Sequence, residues 1–157
     1  MYIFYAFPFA QLCDPKDGQV RKEYRQFFND LKEIANKNRH TYFLAHERED
    51  WGAEFKGPEE CVPNDYEGVV KSDLMIVVPG DPISGGVQVE MGWASANKKN
   101  MHIFCHQNIV GRIGPAPKTV TVDWITIKHW MAMTLQILLT INFSHISKNL
   151  KRKNPIL

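Results

Sequence analysis

Apolar and polar positions along the chain alternate between two periods. Tyr2 to Phe7 is a short apolar run limited by Pro8, which predicts a first strand. From Asp17 to Lys37 the apolar positions Val20, Tyr24, Phe27, Phe28, Leu31, Ile34 and Ala35 fall on one helical face. "HTYFLA" (His40 to Ala45) predicts a second strand, and the charged stretch "HEREDWGAEFKGPEE" after it reads as a surface loop. Pro63 suits the first turn of a helix running to about Lys71. "DLMIVV" (Asp73 to Val78) is continuously apolar and rich in β-branched residues, as a parallel strand buried on both faces requires. The turn-rich loop "PGDPISGG" leads into a helix from about Gly86 to Asn97. Met101 to Cys105 predicts the next strand, Thr119 to Ile127 begins with β-like alternation, and a last helix follows from about Lys128.

Strand-like and helix-like segments in turn predict an α/β fold: a single-domain, doubly wound parallel sheet of flavodoxin or Rossmann type with flanking helices. The 157 residues suit one domain with a substantial core. We place the domain at 1–147 and a basic C-terminal tail, with Lys148, Lys151, Arg152 and Lys153, at 148–157.

Composition adds mainly exclusions. The chain is 44% hydrophobic and 23% charged, with a net charge of +2, so no nucleic-acid partner is implied. Cys13, Cys61 and Cys105 form no CxxC pair, and their odd number speaks for a reducing, cytoplasmic setting. No metal cluster at ligand spacing appears, and no cofactor is expected. "WMAMTLQILLTI" (Trp130 to Ile141) is too short for a membrane span and reads as a core helix or an oligomer interface. A homodimer or larger assembly is expected, because that apolar helix needs a partner surface.

One helix poses a chemical question. With "GVQVEMGWAS" wound at about 100° per residue, Gln88, Gly92 and Ser95 share the polar side. Glu90 lies almost opposite Gln88, among Val87, Met91, Trp93 and Ala94. An ionised carboxylate on an apolar face is costly unless it is partnered. Either Glu90 is a structural carboxylate satisfied by a Tyr hydroxyl or backbone amides, or it is a nucleophile or acid/base in a pocket. The loop ahead of it sits where open α/β sheets bind ligands. Gly85 and Gly86 permit close approach of backbone to a ligand. Ser84 is either a plain N-cap or a hydroxyl beside helix amides that suit a phosphate. There is no GxGxxG and no Walker-type GK[ST].

These residues resemble the nucleoside 2-deoxyribosyltransferase family, which includes (deoxy)nucleoside 5'-monophosphate N-glycosidases and a related CMP hydrolase. The matching pattern is a strand opening on Asp73, a loop, and a helix with Gly86, Glu90, Gly92 and Ala94. The resemblance runs from the first strand to about Cys105. It implies Glu90 as the nucleophile at C1' of the sugar. It implies Ser84, six residues before Glu90, as the 5'-phosphate ligand of the monophosphate-cleaving branch. Asp65, eight residues before Asp73, is implied to hold the sugar or base.

The expected catalytic set is therefore Glu90, Asp65 and Tyr5, with Tyr2 as the competitor of Tyr5 for the place beside Glu90. The expected substrate-binding set is Ser84, Gly85, Gly86, Phe7 and Asp81. The first strand departs from the family: "IFYAFPFAQ" lacks its Tyr-x-x-Gly turn and has no phosphate-binding Arg before Arg21. The function expected is N-glycosidic cleavage of a (deoxy)nucleoside 5'-monophosphate. Base exchange between nucleosides is the alternative, and a non-catalytic nucleotide sensor is a reading of another class.

Overall fold

The computed structural model describes residues 1–54, 56–105 and 121–124. Among these residues the strands are β1 (Tyr2–Ala6), β2 (Thr41–Leu44), β3 (Leu74–Val77), β4 (Asn100–Cys105) and β5 (Thr121–Trp124). All pair in parallel, in the order β2-β1-β3-β4-β5. This is the doubly wound α/β arrangement. Its strand order reverses between β1 and β3, and a crevice opens beyond their carboxyl ends.

The helices are α1 (Phe9–Leu12), α2 (Lys22–Lys37), α3 (Ala45–Arg48), α4 (Pro58–Lys71) and α5 (Gly85–Ala96), with a single 3-10 turn at Asp50–Gly52. Strand alternation divides the core in two. Ile3, Tyr5 and Phe7 face α2, where Phe27, Phe28, Leu31 and Ile34 meet them. Phe4, Ala6, Met75 and Val77 face the other way, onto Val69 of α4 and Val87, Met91 and Ala94 of α5. Gly68 lets α4 lie close on the sheet: a Cβ there would stand 2.9 Å from the ring of Phe43 and 3.0 Å from that of Phe4. Those two rings are stacked at 4.9 Å.

Asp73 fastens the far end of the sheet. Its Oδ2 accepts from the Tyr2 amide at 2.7 Å, and its own amide donates to the Tyr2 carbonyl at 2.8 Å.

Several boundaries differ from the sequence expectation. The first long helix starts at Lys22 and not Asp17, because residues 14–20 form a turn. Asp14 and Asp17 accept from amides two residues on, Gly18 has φ +73°, and Val20 bridges back to Cys13. Val20 is thus buried at helical spacing without being helical. Pro58 and not Pro63 opens α4, and Pro63 stands inside it on an exposed position. The charged stretch after β2 is not a surface loop throughout. It forms α3 and the 3-10 turn, and it buries His46 and Glu49. The helix expected from Lys128, the apolar stretch from Trp130 and the basic tail lie outside the described residues. Among the described residues no helix is long and apolar enough to cross a membrane.

Candidate active site

α4 and α5 pack against each other on one face of the sheet, and both begin at its carboxyl edge. Glu90 lies five residues into α5, roughly 7.5 Å down its axis at 1.5 Å per residue. The residue as a whole is half-buried, but its Oε2 is closed off from solvent and has no hydrogen-bond partner. Burial pushes its carboxyl well above the usual range, and the nearby negative charge of Asp65 pushes it further. A structural carboxylate satisfied by a hydroxyl or by backbone amides would have a partner at that oxygen. Glu90 has none among the described residues.

Asp65 projects from the middle of α4 towards the same seam. Burial raises its carboxyl to about 6, against a smaller opposing pull from Arg48. The two helices thus bring together the two acidic residues expected from the sequence. Two neighbouring carboxyls that both hold their protons more tightly than usual are suited to acid/base and nucleophilic roles in one reaction.

A third carboxyl joins them. Glu49, at the end of α3, is 7% exposed, and its Oε2 has no hydrogen-bond partner. Burial raises its carboxyl, Asp65 raises it further, and Lys56 opposes both. Glu49 and Asp65 line a small open cleft with Ala45, Arg48, Cys61 and Asn64. Glu90 is not part of the cleft wall, and Asp65 is the charged neighbour it shares with Glu49. Next to Glu49 along the chain, His46 is 1% exposed and stacks on Phe9 with ring centroids 4.5 Å apart. Neither ring nitrogen has a hydrogen-bond partner, and burial pushes its pKa down to about 3, so the ring is neutral. Sequence reasoning missed Glu49 and His46 because a five-residue segment carries no readable period. The signal available was the density of titratable residues directly after a strand.

The loop between β3 and α5 is braced from the other side of the crevice. The Gln11 side chain of α1 accepts from the Asp81 amide at 3.2 Å and donates to the Pro82 carbonyl. Asp81 itself is exposed. Ser84 occupies the N-cap position of α5, yet its hydroxyl makes no capping hydrogen bond. A Cβ on Gly85 would meet open space, and one on Gly86 would meet only the Ser84 Oγ at 3.9 Å. This end of α5 is therefore open, with its first amides presented outward.

Two expected residues are not brought to the site. Tyr5 belongs to the α2 side of the sheet, among Phe7 and Tyr42, whereas Glu90 projects from α5 on the opposite side. Strand alternation forces this, because Phe4 and Ala6 take the face towards α5. Burial raises the Tyr5 hydroxyl, with Tyr42 adding to it. Tyr2 packs on the α5 side at the start of β1; burial raises its hydroxyl, and Lys71, Arg48 and Glu67 act on it more weakly. Phe7 is buried edge-on against Phe27 and Phe28, which makes it a packing residue. Among the described residues no group of three His, Cys, Asp or Glu is placed to hold a metal ion.

No family model and no curated protein matches the chain. Solved structures do. The CMP N-glycosidase BcmB of Clostridium botulinum superposes with a TM-score of 0.60 at 20% identity, covering 88% of this chain and 98% of its own. A conserved protein from Enterococcus faecalis V583 gives 0.55 at 15% identity, covering 89% and 98%. The solution structure of BlsM gives 0.66 at 31% identity, covering 87% of this chain and 85% of its own. The first two likenesses concern the fold. The identity to BlsM over most of both chains goes further, and with it the chain belongs to the nucleoside 2-deoxyribosyltransferase-like family.

Proposed function

We propose that the protein hydrolyses the N-glycosidic bond of a (deoxy)nucleoside 5'-monophosphate and releases the free base. The observation that carries this reading is the buried Glu90 carboxyl, unpartnered at Oε2 and held beside Asp65 at the α4–α5 seam. The CMP N-glycosidase activity of BcmB, a protein of the same fold, supports it.

The chemistry follows from the pair. Breaking the bond builds positive charge at C1' and negative charge on the base. Positive charge at C1' favours the anion of Glu90, whose proton passes to Asp65, the nearest negative charge. Glu90 Oε then bonds to C1' as the C1'–N bond breaks, and Asp65 returns the proton to the leaving base. Water next attacks C1', gives its proton to Asp65 and frees Glu90. The 5'-phosphate lies at the open start of α5, where the Ser84 hydroxyl and the first helix amides are available to it. A second copy of the chain completes the assembly, as the apolar sequence from Trp130 to Ile141 suggests. Light scattering on the full chain tests this, and a monomer at micromolar concentration would remove it.

Base release tests the function. The protein is incubated with ribo- and deoxyribonucleosides and their 5'-monophosphates, with and without a second free base. Release from monophosphates that vanishes in Glu90→Ala is the expected result. Exchange without hydrolysis would assign base transfer instead. Tight nucleotide binding without turnover would leave a sensor.

A further inference from the structure

The crevice at the carboxyl edge of the sheet lies between two chain segments. α1 follows β1, and the loop of residues 78–84 follows β3, the strand paired beside it. Ligands of this fold class sit between such segments, where the strand order reverses. Gln11 crosses that gap. Its Oε1 accepts from the Asp81 amide at 3.2 Å, and its Nε2 donates to the Pro82 carbonyl. The two partners fix the orientation of the side-chain amide, because a backbone N–H needs an acceptor and a carbonyl needs a donor. Both ends of the contact are held. The Gln11 amide donates to the Pro8 carbonyl at 3.2 Å, and its carbonyl accepts from Arg21 Nη2 at 2.8 Å. Across the gap the Ser84 amide donates to the Pro79 carbonyl at 2.8 Å and closes residues 79–84 into a ring. The Ser84 carbonyl then accepts from the Gln88 amide at 3.0 Å, which joins the ring to α5. Gly80 makes room for the clamp. Its φ is +85°, and a Cβ there would stand 2.6 Å from Gln11 Oε1 and 2.8 Å from Nε2.

The ring carries Ser84, whereas Glu90 and Asp65 stand on α5 and α4. Those helices are seated on the sheet through Val87, Met91, Ala94 and Val69, at a distance from Gln11 in the core. We infer that Gln11 is a positioning residue for the phosphate end of the site. Its two side-chain hydrogen bonds hold the 79–84 ring, and with it the Ser84 hydroxyl, at a fixed place across the crevice. A loop already held in its binding shape loses less freedom when an anion arrives. The choice of a 5'-monophosphate over the matching nucleoside therefore depends on Gln11, and the step at C1' does not. This inference rests on the proposed placement of the 5'-phosphate beside Ser84, and its tests separate the two.

Dissociation constants are measured by calorimetry for CMP against cytidine and for dAMP against deoxyadenosine, with wild type, Gln11→Ala and Gln11→Glu, alongside base release. The ratio of monophosphate to nucleoside affinity is expected to fall about 10-fold in Gln11→Ala, as the loss of two ordinary hydrogen bonds implies. In base release the loss is expected in KM for the monophosphate and not in kcat. Gln11→Glu at pH 7 keeps the acceptor for Asp81 but sets an anionic oxygen against the Pro82 carbonyl, and is expected to fall at least as far. As pH drops towards the usual glutamic-acid value of about 4.3, its carboxyl gains an O–H for Pro82. It is then expected to approach wild type at the same pH, while Gln11→Ala does not. The charged residues bonded to position 11 are Arg21 and Asp81, and both are present in all three proteins. Hydrogen exchange at the Asp81 amide reads the clamp without any ligand, and is expected to quicken about 10-fold in Gln11→Ala while the buried turns of α5 keep their protection. An Asp81 amide already unprotected in the wild type overturns the clamp. A monophosphate preference that Gln11→Ala leaves intact overturns the inference alone, even if base release is found. A wild type that binds nucleosides as well as monophosphates removes the phosphate placement and the inference with it. A preference lost in Gln11→Ala without turnover in any protein supports the inference and removes the hydrolase reading. Should Gln11→Ala fail to fold, the pH contrast between wild type and Gln11→Glu decides.

Discussion

Asp65 gives the most quantitative handle on the site. Its carboxyl rises from 3.8 in the unfolded chain to about 6 in the fold, chiefly through burial. The folded state therefore holds more protons than the unfolded state between those two values. Stability contributed by the protonated group is complete below about pH 4 and is lost as pH climbs through 6. At about 1.4 kcal/mol per pKa unit the full loss would be about 3 kcal/mol. Asp65 keeps part of its surface in water, and screening reduces the figure to roughly 1–2 kcal/mol. Asp65→Asn removes the ionisation while keeping the shape. Urea unfolding of both proteins from pH 4 to 8, at constant ionic strength, reads the difference. The variant is expected to gain about 1–2 kcal/mol on the wild type between pH 4 and 7. The coupling adds to that gain, because Glu90 and Glu49 then ionise without the negative charge of Asp65 beside them. Parallel curves for the two proteins would refute the burial of Asp65 and the coupling built on it.

Other expectations concern single positions. His46 is held neutral with a pKa near 3, so stability is lost as pH falls through 6.5 towards 3; His46→Phe should resist acid better in a thermal-melt series, and an identical acid limb would count against its burial. Gly68→Ala gains about 1 kcal/mol of helix propensity but drives a methyl into two stacked rings. A net loss of about 1–2 kcal/mol in urea is expected, and a more stable variant would disprove the tight seat of α4. Ser84→Ala should raise KM for a monophosphate about 10-fold and leave the matching nucleoside unaffected, and equal effects on both would detach Ser84 from the phosphate.

The fold was legible because parallel strands buried on both faces must be continuously apolar, as Leu74 to Val77 are, and because α2 shows its buried face as a period. Glu90 was legible for the converse reason: a carboxylate on an apolar helix face breaks the pattern that surrounds it. Tyr5 was misplaced because a strand's period shows that alternate residues part company, not which face each takes. Glu49 and His46 were hidden in a charged stretch that looks solvated in sequence. Their burial depends on contacts with Phe9, Phe28 and the 14–20 turn, which are distant or irregular in the chain. The start of α4 was read late because Pro63, which stands inside the helix, suits a first turn as readily as Pro58 does.

A bond from Glu90 to the sugar is the step on which the proposed reaction turns. A 2'-deoxy-2'-fluoro-arabinonucleoside 5'-monophosphate slows the second step by withdrawing electrons from C1', so a covalent intermediate would accumulate. Intact-mass spectrometry with peptide mapping reads it. A mass gain of one fluorinated sugar phosphate is expected on the peptide bearing Glu90, absent in Glu90→Ala. Base release from natural substrates with no adduct, or with an adduct on another residue, would contradict it.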